Sequence, residues 1–433
     1  MPASVVRLLP YGLVLLLPVL VMHAKAGAEV AIGVIDLLFL LRAARRGEWA
    51  WLRRGWVRVG AAGWAWLVLC SLPGVGIGGW GSLAQAAGAG RFLLLVAALE
   101  EWLLVEALWR RRLHRVLDAS ALWIGFNCLL QLWPGHSLTG FPRYYDGSLT
   151  GPFSRPRAGV NLSRLLFPTL LPPLMALLAR RRWAATLAGA AAAMLGIVVM
   201  VLIGQRMPLL STLFGLVVAG LMLRRLRPVV LACLIAGGAV LALSPVISPP
   251  TWYRLVTKFS HQIETFPDSD YGTIGWRAVV IAAQHPLFGE GFDGFRNACP
   301  RSETFVGWWA QKEHRADGGA LVACNIHPHN HWLQVATDSG LPGLALFTAL
   351  VLLWMRDLLR GMRRPGEKGV RDPLRVGLFV AVLLEFWPIT STLSLYATEQ
   401  MGWVYLLLGY GLAEARASER TVAMSPEGST PSA

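Results

Sequence analysis

The chain has 433 residues, of which 55% are hydrophobic and 15% charged, with a mean hydropathy of +0.50 and a net charge of +15. A soluble chain carries about 25% charged residues, so an ordinary soluble enzyme and a disordered protein are both excluded. Most of the positive charge lies in clusters between apolar runs, where it anchors helices at a membrane surface, and this argues against a nucleic-acid partner.

About 20 apolar residues of helix cross a bilayer, and the runs here approach that length. In chain order they predict an all-α polytopic membrane protein of about 12 spans: 8–22, 28–41, 57–74, 92–109, 116–134, 162–179, 183–203, 207–223, 229–247, 332–355, 376–394 and 400–413. The first run contains Pro10 and Pro18 and lacks a small-residue cleavage site, so it reads as a retained span rather than a signal peptide. Basic clusters fall at every second connection: Arg42 to Arg58, Arg110 to Arg115, Arg180-Arg181-Arg182, Arg224 to Arg227, and Arg356 through Arg363, Arg364 and Lys368 to Arg375. An excess of Lys and Arg marks cytoplasmic connections, which puts both termini in the cytoplasm and makes the number of spans even. Glu100, Glu101 and Glu385 fall inside predicted spans, where a carboxylate must face the bundle interior or water. A proton-coupled transporter would display such residues too, but no inverted repeat or pair of broken helices accompanies them.

Two connections on the opposite, outward-facing side are long, 135–161 and 248–331, and a polar segment of the second's length is functional or carries its own helices. The expected organisation is therefore a bundle over 1–247 (spans 1–9), a periplasmic loop domain over 248–331, spans 10–12 over 332–415, and a disordered cytoplasmic tail over 416–433. The long loop is rich in aromatics, among them Trp252, Tyr253, Trp276, Phe288, Phe292, Phe295, Trp308 and Trp309. These suit helices lying at the headgroup level, and equally suit platforms for sugar rings. Cys299 and Cys324 share this loop and can pair on an oxidising side of the membrane, whereas Cys70, Cys128 and Cys233 lie in spans as small hydrophobes.

Three of the nine histidines stand in His327-Pro328-His329-Asn330-His331, where the polar loop hands over to an apolar helix. Asn330 is placed to cap a helix starting at His331, and Gly340-Leu341-Pro342-Gly343 predicts a break that ends a short helix and starts the span proper. A metal site on the three histidines and a purely structural histidine cluster are the competing readings. Pro328 interrupts the set and no carboxylate adjoins it, so an acid/base histidine is favoured and no metal or cofactor is expected. Arg206, in the tight turn Gly204-Gln205-Arg206, either snorkels to headgroups or offers a fixed guanidinium to phosphate. Arg277 begins a helical stretch that runs towards Pro286-Leu287-Phe288-Gly289-Glu290-Gly291. Two arginines and a histidine suit transfer away from a phosphate-linked leaving group. Arg143, Arg155 and Arg157, with Asn161, form either a headgroup-facing rim or a further contact to phosphorylated substrate.

At Gly204-Gln205-Arg206, at Trp276-Arg277 leading to Pro286–Gly291, and above all at His329-Asn330-x9-Gly340-x-x-Gly343, the chain resembles the bacterial O-antigen ligase family within the O-antigen ligase and polymerase superfamily. The resemblance implies a GT-C-like helical glycosyltransferase. Such an enzyme moves O-antigen polysaccharide from undecaprenyl diphosphate to lipid A–core on the periplasmic side, inverting the anomeric centre without metal or nucleotide. It also implies His329 as base or orienter of the acceptor hydroxyl and Arg206 and Arg277 as the diphosphate clamp, with His327, Asn330, Arg155 and Arg157 as further substrate contacts. An O-antigen polymerase or a protein O-oligosaccharyltransferase using the same donor remains open, and a lipid-linked sugar transporter stands behind both.

Overall fold

A computed structural model describes residues 3–301, 324–362, 371–389 and 393–424. Among them no strand forms beyond two isolated bridges, Pro73 with Gly76 and His136 with Pro142. The long helices are α1 (Ala3–His23), α2 (Lys25–Arg46), α3 (Gly55–Cys70), α4 (Gly79–Ala89) continued by α5 (Arg91–Ala98), α6 (Ala107–Gln131), α7 (Ala158–Ala179), α8 (Trp183–Ile203), α9 (Arg206–Met222) and α10 (Arg227–Ile247). Short helices follow: α11 (Pro249–Trp252), α12 (Lys258–Glu264), α13 (Asp270–Gln284) and α14 (Gly294–Ala298). The chain closes with α15 (His331–Leu359), α16 (Pro373–Phe386) and α17 (Thr398–Met424). By length and composition Gly79–Leu103, Ala158–Ala179, Trp183–Ile203, Arg224–Ile247 and His331–Leu359 can each cross a membrane, and Leu8–His23, Gly55–Cys70 and Arg206–Met222 are shorter apolar helices. The protein is an all-helical membrane protein.

Each apolar run of the sequence lies on a helix, but some boundaries move. The run expected over 92–109 belongs to the helix that starts at Gly79 and ends with a wide turn over Leu99–Leu103; Ala107 already begins α6. Glu100 and Glu101 therefore sit at a helix end among arginines rather than within the apolar interior. Arg54 Nε donates to Glu101 at 3.2 Å, Trp56 Nε1 to Glu100 at 3.1 Å, and Arg416 pairs with both carboxylates. Pairing is what makes two adjacent carboxylates tolerable in a partly enclosed place.

Of the expected disordered tail over 416–433, the part through Met424 is helical in α17, with Arg416 held by the glutamates just named, and 425–433 fall outside the described residues. Arg110, Arg111, Arg112 and Arg115 lie on α6 itself, with Arg110 Nε on Glu414 at 3.0 Å. Arg371 Nη1 reaches the carbonyl of Met222 at 3.3 Å. Four of the arginine clusters thus gather at one end of the bundle, and the motif-bearing segments lie at the other. Trp308, Trp309, Arg363, Arg364 and Lys368 fall outside the described residues.

The core runs continuously through the bundle and includes fully buried Trp56, Trp354, Trp403 and Tyr410. Within it Arg164 pairs with Glu385, at 1% and 6% exposure, so Glu385 does face the interior as expected. Gln400 Nε2 donates to the second oxygen of Glu385 at 2.8 Å, and Arg164 also reaches Asn161 Oδ1 at 3.4 Å. The pair ties α7, α16 and α17 together directly beneath the motif-bearing end.

Candidate active site

The Gly-Leu-Pro-Gly break and the Pro286–Gly291 segment, far apart in sequence, dock on each other. Gly340 has φ +63° and ψ −167°, a conformation open in practice to glycine, and it divides α15 into two helices at the predicted place. Pro342 has no N–H, so the broken turn loses a donor as well as its geometry. The freed carbonyls are taken from outside: Glu290 N donates to Thr337 O at 2.8 Å, Gly291 N to Asp338 O at 3.0 Å, and Trp66 Nε1 to Ser339 O at 2.9 Å. In return Leu341 N donates to Pro286 O at 2.7 Å. A Cβ on Gly340 would stand 2.5 Å from Leu287 O, and one on Gly289 would stand 2.6 Å from Thr337 O. Both glycines are required by backbone-to-backbone contact. These bonds satisfy backbone groups that a broken helix exposes, as such breaks require at membrane depth.

The same segment is anchored to α3. Ile77 N donates to Glu290 O at 3.0 Å, and Phe292 N to Ser71 Oγ at 2.9 Å. Asp338 Oδ1 accepts from Gly294 N at 2.9 Å, which adds α14 to the assembly. The neighbouring Asp293 carboxyl is pushed above the ordinary carboxylate range by burial, against the pull of Arg296.

His329 sits two residues before this rigid helix. Its φ of +54° is unusual for a residue with a side chain, and such backbone strain persists only where surroundings impose it. Asn330 caps α15 as predicted: its Oδ1 accepts from Trp332 N at 3.0 Å and Leu333 N at 3.1 Å, while Nδ2 donates to Pro388 O at 2.6 Å. Both ends of this amide are thus engaged within the protein. The His329 Nε2 faces Asn325 Nδ2 at 2.8 Å. Since Asn325 Oδ1 accepts from Ile326 N at 2.7 Å, the amide NH2 is the group turned to the ring, a geometry in which Nε2 can accept. His327 is buried and meets the His329 ring edge-on at 4.4 Å; His331 is buried and packs near Phe386 at 6.2 Å.

Tyr271, at the start of α13, also meets the His329 ring edge-on, with centroids 5.6 Å apart. Its phenol lies within electrostatic reach of both Arg206 and Arg254. Arg206 is the first residue of α9, after the left-handed turn at Gly204 that caps α8. It is half-buried, contacts the neutral Gln262 side chain and lies 6.0 Å from the Phe259 ring centroid. Arg254 Nε donates to Gly204 O at 2.8 Å and its guanidinium pairs with Asp146. Burial lowers its pKa from the ordinary value, with Tyr145 and Tyr271 opposing.

The remaining predicted residues separate. Arg277 is 1% exposed, and its Nη1 lies 2.7 Å from Cys324 Sγ and 3.4 Å from Cys299 Sγ. Those two cysteines form a disulfide. Arg277 therefore supports the residue next to Asn325 and stands enclosed rather than presented to solvent. Arg157 pairs with Glu399 at 2.7 Å and Arg155 is exposed, and no described contact joins either to His329. Sequence reasoning missed Arg254, Tyr271 and Asn325, which carry no spacing signal; only their neighbours in space single them out.

The fold and this site define a helical membrane protein with a strained histidine and, among the described residues, an Arg206 without a carboxylate partner at one end of its bundle. Residues 191–348 match the family described as O-antigen ligase, a stretch running from α8 into α15 and containing every motif above. Over that stretch the chain is similar to the O-antigen ligase family, a likeness that supports glycosyl transfer of the ligase or polymerase type. No curated protein matches the chain.

Proposed function

We propose that the protein is an O-antigen ligase that transfers polysaccharide from undecaprenyl diphosphate to a hydroxyl of lipid A–core, on the periplasmic face of the inner membrane. The observation that carries this reading is His329, held in a strained conformation between Asn325 and Tyr271 and set on a helix whose break is locked by the Pro286–Gly291 segment. In this reading about 12 spans place both termini in the cytoplasm. Residues 1–247 and 332–415 form the bundle, 248–331 the periplasmic domain, and the arginine-rich end faces the cytoplasm.

The chemistry is a single displacement. The acceptor hydroxyl takes the place of the Asn325 amide at His329 Nε2, which removes its proton as the oxygen attacks the anomeric carbon. The bond from that carbon to the diphosphate oxygen breaks on the opposite face, inverting the centre. Arg206 stabilises the departing diphosphate, its charge reinforced by the N-terminal dipole of α9. Arg277 braces the Cys324–Asn325 segment and adds positive potential behind the site. His327 packs against the base, Asn330 fixes the helix that carries it, and Arg155 and Arg157 are contacts for the acceptor's phosphorylated core at the rim.

The test is reconstitution of the purified protein with lipid-linked O-antigen and, in separate reactions, lipid A–core, a pilin-type protein and a second molecule of donor. Product on lipid A–core alone supports ligation. Chain extension of the donor means a polymerase, and product on protein means an oligosaccharyltransferase.

A further inference from the structure

The Arg206 turn has a neighbour that the sequence motifs do not name. Arg254 donates to the carbonyl of Gly204, within the very turn that presents Arg206, and Tyr271, whose ring packs on His329, lies within electrostatic reach of both guanidinium groups. The placement has structural support on each side. Leu149 N donates to Ile203 O at 3.2 Å, fastening the Asp146 turn to the end of α8, and Thr251 Oγ1 reaches Leu202 O at 3.4 Å. Asp146, Arg254 and the Arg206 turn are therefore tied together by direct contacts.

The charges do not balance. Among the described residues Arg206 has no carboxylate partner, only the neutral amide of Gln262, although it is half-buried. Gln205, the residue before it, is 6% exposed, and neither end of its amide has a hydrogen-bond partner at this helix N-terminus. Asp146 is the one carboxylate paired with Arg254, and its other oxygen already accepts from Ser148 N at 3.0 Å and Ser148 Oγ at 2.8 Å. Among the described residues two guanidinium groups thus share a single carboxylate, beside a helix N-terminus and close to the ring packed on His329. An anion with two charged centres fits this arrangement better than one with a single centre.

We propose that Arg254 and Tyr271 belong to the donor site: Arg206 and Arg254 each take one phosphate of a lipid diphosphate, and the Tyr271 hydroxyl donates to an oxygen between them. This rests on the reading of the protein as a transferase using such a donor. Arg254 then sets the preference for diphosphate over monophosphate. Tyr271 couples the anion to the base, because its ring meets His329 while its phenol lies within electrostatic reach of the two cations.

The experiment measures binding of sugar-free undecaprenyl diphosphate and undecaprenyl monophosphate to the full-length protein in detergent, for wild type, Arg254→Gln, Arg254→Lys and Tyr271→Phe. The wild type should prefer the diphosphate. Arg254→Gln should lose about 10-fold or more of diphosphate affinity, the weight of a charge-assisted contact, while monophosphate affinity changes little. Arg254→Lys should recover part of the preference. Tyr271→Phe, which keeps the ring against His329, should weaken diphosphate binding and lower kcat for transfer without shifting thermal unfolding. An unchanged preference in Arg254→Gln overturns the assignment of Arg254 while leaving the transferase reading intact. Equal loss of both ligands in Arg254→Gln and Arg254→Lys makes Arg254 a structural latch and overturns it as well. A wild type that binds neither lipid removes the proposal together with the lipid-diphosphate donor.

Discussion

Replacing Gly340 with alanine tests whether the break in α15 is what holds His329 in place. The backbone there has φ +63° and ψ −167°, which costs a residue with a Cβ about 1–3 kcal/mol. The new Cβ would also lie 2.5 Å from Leu287 O and 2.6 Å from Pro286 O, so the Pro286–Leu287 backbone must withdraw. Withdrawal stretches the Leu341 N to Pro286 O bond, worth about 1 kcal/mol. The sum is about 2–4 kcal/mol, concentrated at the segment that sets the height of His329. Since a shift of about 1 Å in a catalytic group costs on the order of 100-fold in rate, transfer should fall at least that far. Gly238→Ala is the control: a Cβ at Gly238 meets nothing within 4 Å in helix α10. The assay is the initial rate of O-antigen transfer in membranes with matched protein levels, alongside thermal unfolding in detergent. Wild-type rate and stability in Gly340→Ala would refute the locked-break argument.

Other expectations follow from named contacts. Glu385→Gln breaks the buried pair with Arg164 and leaves the guanidinium uncompensated, so unfolding in detergent should show a loss of about 3–5 kcal/mol; Glu385→Gln with Arg164→Met should recover much of it. Arg206→Lys keeps the charge but loses the planar fork, and kcat should fall about 10-fold or more at unchanged expression. Serine at both Cys299 and Cys324 removes the link beside Arg277 and Asn325 and should lower transfer and thermal stability together, as measured on the purified double variant.

Much of the bundle was legible because its signal is local. Apolar runs of near-membrane length and arginine clusters at alternate connections place helices without reference to the rest of the chain. The errors came where apolar residues continue past a helix end: Trp102, Leu103, Leu104 and Val105 read as a continuing span, although the chain turns at Leu104 to bring Glu100 and Glu101 to Arg54 and Arg416. The tail failed for the opposite reason, since a polar stretch after Ala415 reads as solvated unless Glu101 is known to wait for Arg416.

In the site, Asn330 and Gly340 were legible because capping and helix breaking are properties of single residues in sequence. That Gly289 and Gly340 touch the same two backbones was not, since it depends on contact across about 50 residues of chain. Arg277 looked like Arg206 in sequence, and only burial against the disulfide distinguishes an enclosed guanidinium from a presented one.

The central claim is that His329 removes the acceptor proton in transfer from a lipid diphosphate. The direct measurement is the rate at which purified, reconstituted wild type and His329→Ala move O-antigen from undecaprenyl diphosphate to lipid A–core, with donor binding measured in the same preparations. The account predicts that His329→Ala binds the donor as wild type does and transfers at least about 100-fold more slowly. Equal transfer by the two proteins would contradict it.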